Sequence, residues 1–308
     1  MIKHTTTTNI DFLGYRYWCF GFSLFLLLSF IGGAIYKKYT RGSVYTYSVD
    51  FEGGTQVLLD FSKPIKSEEV IRVLEAQGLP GAAAREFSDH EVLVRVKQFE
   101  SDAQGLGQRI KMTLEKELPG TTVKVLQTDS VGVGIGSELR TNSILALIIS
   151  LIGMLLYLWF RFWSFSYGMG SVVALMHDML VILSLILWFD YEVSMNVIAA
   201  VLFILGYSVN DTIVIFARIR ENIAKRKNVP VYDLVNISIN ETLRRTILTS
   251  FATTLTVLAL LLFGGEALRL LSLSILVGIV FGTYSSIYVA SPVMLLLYKE
   301  KNATSHKA

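Results

Sequence analysis

The sequence predicts a polytopic α-helical membrane protein, six transmembrane helices interrupted once by a water-facing α+β domain. Three observations carry this. Of 308 residues, 52% are hydrophobic and 17% charged, whereas soluble domains usually carry about 25% charged residues. Six stretches, at about 17–36, 141–160, 166–189, 193–217, 246–264 and 269–298, are apolar over the ~20 residues that a bilayer crossing needs. One long polar segment, residues 41–139, separates the first stretch from the others.

Residues 1–16 are a polar N-terminus and 17–36 the first span. "GGA" at 32–34 supplies the small residues of a signal-peptidase site, but the preceding region is long and weakly basic. An uncleaved anchor is therefore expected. Cys19, the single cysteine, allows no internal disulfide and no cysteine metal site.

The segment 41–139 holds 15 acidic and 11 basic residues, a net of −4, as suits a domain facing water. "VYTYSV" and "TQVLLDF" read as strands around the turn "EGG". "SEEVIRVLEAQG" reads as a helix, with Ser67 as N-cap, acids in its first turn and Gly78 at its end. "AAAREF" and "EVLVRVK" form a strand pair across "SDH", the second with period-two alternation. "DAQGLGQRIKMTLEKEL" is a second helix, with Leu106, Ile110, Leu114 and Leu118 on one stripe and Pro119-Gly120 as its stop; "TTVKVLQ" is the last strand. The order β–α–β–β–α–β is the split βαβ, ferredoxin-like plan.

Residues 140–298 carry spans two to six and 299–308 are a basic tail. Arg218, Arg220, Lys225, Arg226 and Lys227 fill the loop between spans four and five, Arg161 follows span two, and Lys299, Lys301 and Lys307 lie in the tail. The alternate loops, "DYE" and "GGEALR", are acidic or nearly neutral. The positive-inside rule then predicts both termini in the cytoplasm and the domain outside it. Lys37, Lys38 and Arg41, at the outer end of span one, point the other way and are outvoted by five later spans.

Polar residues inside the spans are costly, about 2.5–3.5 kcal/mol for a charge at mid-bilayer, and usually mark ion or substrate paths. Asp211 lies in span four within "GYSVNDTIVIFARIREN", with Tyr207 and Ser208 one turn away and Asn210 beside it. Arg245 opens span five and heads a polar stripe, Thr249, Thr253 and Thr256. A guanidinium there could hold the Asp211 carboxylate ionised until the two separate. His177 and Asp178 sit in the middle of span three, as relay members or as a helix-stabilising cluster; being adjacent, they point about 100° apart and cannot serve one partner. Gly278 and Gly282 form a GxxxG pattern for close helix approach, within the chain or against a partner. "RIRENIAKRKN" reads as a solvated face rather than a binding motif.

No phosphate-binding glycine loop, metal-spaced histidine pair or nucleophile with a base is present, and "GVGIG" at 132–136 lacks the full dinucleotide spacing. The expectation is neither an enzyme nor a carrier of metal or cofactor, and a net charge of +3 makes no case for nucleic acid.

"DFEGGT" (Asp50, Phe51, Gly53, Gly54 and Thr55 among its residues), "GYSVNDTIVIFARIREN", "TLRRTILTS" and "GTYSSIYVASP" occur in that order along the chain. Together they resemble the SecD/SecF family of protein-export membrane proteins over nearly the whole chain, on its SecF side. The resemblance implies one half of an RND-type membrane architecture and partnership with SecD beside the SecYEG translocon. It also implies contact with a translocating precursor polypeptide in the bacterial inner membrane. The family's proton-handling Asp and Arg map onto Asp211 and Arg245, and the His-Asp of span three recurs. Two departures are Ala217, where Asp is frequent, and Val133, where Pro is frequent. Neither touches the acid-base pair. The function expected is use of the proton-motive force to draw exported polypeptides across the membrane. The alternatives are half of a proton-driven lipid or small-molecule exporter, and a structural subunit that uses no energy.

Overall fold

The computed structural model describes residues 10–79, 82–86, 88–96 and 102–298. It comprises two units, one formed by 46–145 with 192–195 and the other by the remaining chain.

In the first unit, β1 (Gly54–Phe61), α3 (Ser67–Ala76), β2 (Ala83–Glu86), β3 (Glu91–Val96), α4 (Ala103–Glu117) and β4 (Val123–Val131) follow the predicted ferredoxin-like order. The antiparallel sheet runs β2-β3-β1-β4. Alternation sets its buried face: Val57 pairs with Val94 and Leu59 with Val92, and these residues, with Phe61 and Val96, are buried. Val70 and Leu74 of α3 and Leu106, Ile110 and Leu114 of α4 cover that face at helical spacing. Leu118, the fourth of the predicted stripe, packs against this core only partly buried. Along β4 the partner of Leu58 is Gln127 and that of Leu59 is Val125, so Leu126 bulges out, unpaired and exposed.

Two local expectations are corrected. "VYTYSV" is not a strand: Tyr47 makes an isolated parallel bridge to Val193, and Val49–Glu52 form a short helix, α2, capped by the Ser48 hydroxyl. The Ser48 hydroxyl accepts from the Asp50 N–H and the Ser48 N–H donates to the Val193 carbonyl, so neither is left for a hairpin ladder. Ser67 is the first residue of α3 rather than its cap; Lys66 holds the cap position, and the Ser67 N–H donates to Glu86 Oε1 at 2.6 Å. Gly78 does follow the helix end with φ +86°, a left-handed turn that favours glycine. Phe87 and Lys97, the predicted ends of two strands, lie outside the described residues, as do residues 1–9 and the tail from 299.

The membrane helices are α1 (Arg16–Arg41), α5 (Val133–Phe162), α6 (Phe165–Trp188), α7 (Met195–Lys225), α8 (Val231–Phe263) and α9 (Glu266–Ser285). The last continues through a π-helical turn, Ser286–Ala290, into α10 (Ser291–Leu297). All six spans are long and apolar enough to cross a bilayer. They overrun the predicted apolar stretches because their polar ends continue as helix. Half of the apolar window is buried in α6, α7 and the α9–α10 span, against 6–11% in α1, α5 and α8. The first three are the core of this unit, and the others carry rows of outward leucine, isoleucine and phenylalanine suited to lipid.

Charge and amide contacts tie the ends. Lys37 and Arg41 both pair with Asp190, at 2.7 and 2.6 Å. Lys37 first, and then Arg41, hold that carboxyl below its usual range. Two of the three cations that contradicted the loop count are thus offset by an acid of the "DYE" loop. At the other end, Asn236 and Asn240 clamp the backbone of Ile10–Leu13, which buries Phe12 and Leu13. Arg218 and Arg226 converge on Glu241, and buried Asn222 bonds Ser238 at 2.8 Å. The basic segment is therefore solvated at Arg220, Lys225 and Lys227 but structural at Asn222.

Candidate functional site

Packing of α9 on α7 creates the setting. A Cβ on Gly278 would overlap the Ile204 side chain, and one on Gly282 would lie 3.1 Å from Ser208 Cβ. One turn further on, Ser286 Oγ and Thr212 Oγ1 are 2.9 Å apart. Contacts that advance by four on both helices describe two parallel helices meeting along one ridge. The GxxxG pattern thus serves packing within the chain.

Asp178 joins three helices. It is fully buried, and its Oδ2 accepts from Ser208 Oγ of α7 at 2.6 Å and from Ser285 Oγ of α9 at 2.9 Å. Its Oδ1 lies 3.4 Å from His177 Nδ1. The His177 ring packs against Tyr284 and Phe281, and its Nε2 is buried with no hydrogen-bond partner. Ser208 and Ser285 carry this cluster together with the predicted pair. The signal for them was their one-turn spacing from Asp211 and Gly282.

Asp211 is 3% exposed and faces the interior. Its Oδ2 is buried with no partner. Tyr207, one turn away, donates to Ser250 Oγ at 3.4 Å, and Ser250 in turn bonds Thr283 at 2.8 Å, linking α7, α8 and α9. The pairs Tyr207–Ser250, Asn222–Ser238 and Arg218–Glu241 run in opposite order along α7 and α8, so the two helices are antiparallel. One turn from Tyr207 is Asp211, and one turn back from Ser250 is Thr246 with Arg245 beside it. Asp211 and Arg245 therefore share a height.

They do not form an ion pair among the described residues. Arg245 is exposed, while Thr246, 2% exposed, turns inward with its Oγ1 unpartnered. Thr249 and Thr253 return their hydroxyls to the carbonyls of Arg245 and Thr249, as threonine does within helices. Asn210 is exposed rather than directed at Asp211, because one residue along a helix turns the side chain by about 100°. Thr246, next to Arg245 in "LRRT", is the inward residue that spacing alone did not single out.

The "DFEGGT" residues sit in the sheet unit. Thr55 Oγ1 meets Ser130 Oγ at 2.8 Å. Gly53 has φ +78°, and a Cβ there would lie 2.7 Å from Val133 Cα. Phe51 packs edge-on to Tyr47, Gly54 opens β1 with φ +114°, and Asp50 caps the first residue of α7. "GVGIG" has a packing role here, since Gly136 would carry a Cβ 3.1 Å from the Phe51 carbonyl.

Fold and site together define a six-span membrane protein with ionisable groups sealed inside its helical core and a ferredoxin-like unit after the first span. The model for the SecD/SecF protein export membrane protein C-terminal region matches residues 111–300. The chain is 38% identical to the protein translocase subunit SecF of Gemmatimonas aurantiaca, over 96% of this chain and 89% of that one. It is 36% identical to SecF of Thermodesulfovibrio yellowstonii, over 97% and 98%. A crystal structure of SecDF, a translocon-associated membrane protein from Thermus thermophilus, superposes with a TM-score of 0.82 at 36% identity, over 94% of this chain and 38% of that one. The chain thus spans about two fifths of the SecDF chain that it matches. It belongs to the SecF family of protein translocase subunits.

Proposed function

We propose that the chain is an accessory subunit of the bacterial Sec export machinery that, with SecD, couples the proton-motive force to translocation of precursor proteins. The observation that carries this is a buried carboxylate, Asp211, with an unpartnered oxygen, at the height of a guanidinium that it does not touch. Burying an unpaired charge costs far more than burying a neutral acid. Protonated Asp211 therefore suits the arrangement seen, and ionised Asp211 calls for one in which the Arg245 guanidinium reaches it. Exchange between the two would bias the packing of α7 against α8 and α9. Asp178, His177, Ser208 and Ser285 form a polar seam between α6, α7 and α9 that could carry the proton or steady the helices.

The energetics set a bound. One charge crossing 100 mV supplies about 2.3 kcal/mol, whereas a near-complete population switch needs about 5.5 kcal/mol. More than one proton, or a larger total force, would drive each stroke. The N- and C-termini would lie in the cytoplasm and the sheet unit outside it, where it would meet the emerging precursor beside SecYEG. Partnership with SecD is supported by the single-chain SecDF of Thermus thermophilus, to which 90% of this chain aligns over 37% of that protein.

The test is proton-dependent export in membrane vesicles that carry Asp211→Asn or Arg245→Lys in the full complex. The expected result is loss of the protonophore-sensitive part of export in the Asn variant and a partial loss in the Lys variant. Full coupling in Asp211→Asn would eliminate the proposal. Export indifferent to a protonophore in the unmodified complex would leave only a scaffold.

A further inference from the structure

We infer that Asp50 is a positioning residue that pins the loop leading into β1 to the first turn of α7, so that movement of α7 is passed to the sheet. This rests on the proton-coupling proposal above and adds the linkage that it needs. The "DFEGGT" motif carries no ligand chemistry, yet its acid has a defined task. Asp50 Oδ2 accepts the N–H of Met195, the first residue of α7, at 2.9 Å. The same oxygen accepts the Ser48 hydroxyl at 3.0 Å. A carboxylate at a helix N-terminus both satisfies a donor that the helix leaves open and complements the helix dipole.

Further contacts stiffen the joint. The Ser48 N–H donates to the Val193 carbonyl at 3.0 Å, and the Val193 N–H to Thr46 at 2.8 Å, around the Tyr47–Val193 bridge. Arg95 of β3 donates to the Tyr47 carbonyl at 2.7 Å and pairs with Glu52 at 2.6 Å, with Glu192 at 3.9 Å. Gly53 and Gly136 bring the loop close against the start of α5: a Cβ on Gly53 would collide with the Val133 backbone, and one on Gly136 would lie 3.1 Å from that of Phe51. From Met195, α7 continues unbroken past Asp211, a rise of about 24 Å at 1.5 Å per residue. That continuous backbone ladder is the path along which the proposed motion travels. A shift at Asp211 therefore arrives at Met195, and through Asp50 at the loop that ends in Gly54 of β1.

The experiment uses the full complex reconstituted in proteoliposomes, reading proton flux and precursor translocation in parallel for Asp50→Ala and Asp50→Asn. Asparagine keeps an acceptor for the Met195 N–H; alanine does not. The expected result for Asp50→Ala is unchanged proton flux with the proton-driven part of translocation reduced roughly two- to thirty-fold, the range for losing a helix-terminal acceptor. Asp50→Asn keeps most of both. A second variant guards against misfolding: Tyr47→Cys with Val193→Cys, added to Asp50→Ala in a Cys19→Ser background. Its disulfide re-closes the joint when oxidised, restoring translocation, and reduction removes the gain. The inference is overturned if Asp50→Ala translocates normally, or if flux and translocation fall together and the disulfide restores neither. Failure of the underlying proposal is seen separately, as full coupling in Asp211→Asn.

Discussion

Replacing Asp178 with alanine removes the acceptor on which α6, α7 and α9 converge. Two hydroxyls lose their partner, Ser208 Oγ at 2.6 Å and Ser285 Oγ at 2.9 Å. Hydrogen bonds to a charged acceptor contribute about 1.5–3 kcal/mol each, and a stranded buried hydroxyl costs about 1–3 kcal/mol. Ser285 can fall back on the Gly282 carbonyl, 3.1 Å away, whereas Ser208 makes no other hydroxyl bond among the described residues. Removing the carboxylate also removes its own burial cost, so the net loss expected is about 2–4 kcal/mol, inside the range for broken buried networks. At the roughly 2–4 °C per kcal/mol of a 150–250-residue protein that is at most about 16 °C, and less for a chain of 308 residues.

Asp178→Asn isolates the cause. Its carbonyl can take the Oδ2 position and accept from both serines. Its amide then faces His177 Nδ1, which accepts when the imidazole proton sits on Nε2. The Asn variant should lose no more than about 1 kcal/mol, a single neutral hydrogen bond. Heat-induced unfolding of the purified protein in lipid nanodiscs, followed by circular dichroism and tryptophan fluorescence, separates the two. Equal destabilisation by Asn and Ala would show that charge rather than acceptor geometry holds the helices. No effect of Ala would show that the three-helix contact does not depend on Asp178.

Two other outcomes follow from packing and charge. Gly278→Ala drives a methyl into Ile204 and should cost about 1–3 kcal/mol. Ile204→Ala alone should cost about 2–5 kcal/mol, and the double variant should unfold well above the additive expectation; strict additivity would refute the α7–α9 contact. Glu192 is half-buried in the sheet unit, and burial raises its carboxyl above the ordinary value of 4.5 despite Arg95 and Arg85, with Glu52 and Asp50 adding to the rise. A raised acid favours folding when protonated, so its cost is greatest above the folded pKa and fades as pH falls towards 4.5. Glu192→Gln should therefore be more stable than the wild type near neutral pH and converge with it in acid; a gap that widens on acidification would reverse the assignment.

Much of the fold was legible because it is local. Twenty apolar residues make a span wherever they occur, and alternation along "EVLVRVK" or the Leu106–Ile110–Leu114 stripe already says which face is buried. "VYTYSV" failed for one local reason and one non-local one. Its β-forming residues do carry strand propensity, but the Ser48 hydroxyl caps α2 and Val193, about 145 residues away in sequence, supplies the backbone partner. Propensity yielded to contacts invisible within the segment.

The candidate site divides along the same line. Position inside apolar spans singled out Asp211, Asp178 and His177, because polar groups there stand out wherever the span packs, and the threonine stripe that it heads singled out Arg245. Which way each points depended on neighbouring helices. Packing of Gly278 and Gly282 on α7 set Asp178 between Ser208 and Ser285, while the phase of α8 turned Thr246 inward and left Arg245 exposed. Asn210 was exposed by the same rule that buried Asp211. A sequence determines the period of each helix and the cost of each buried group; the rotation of one helix against another is a sum over contacts between distant residues, and only the tertiary structure resolves it.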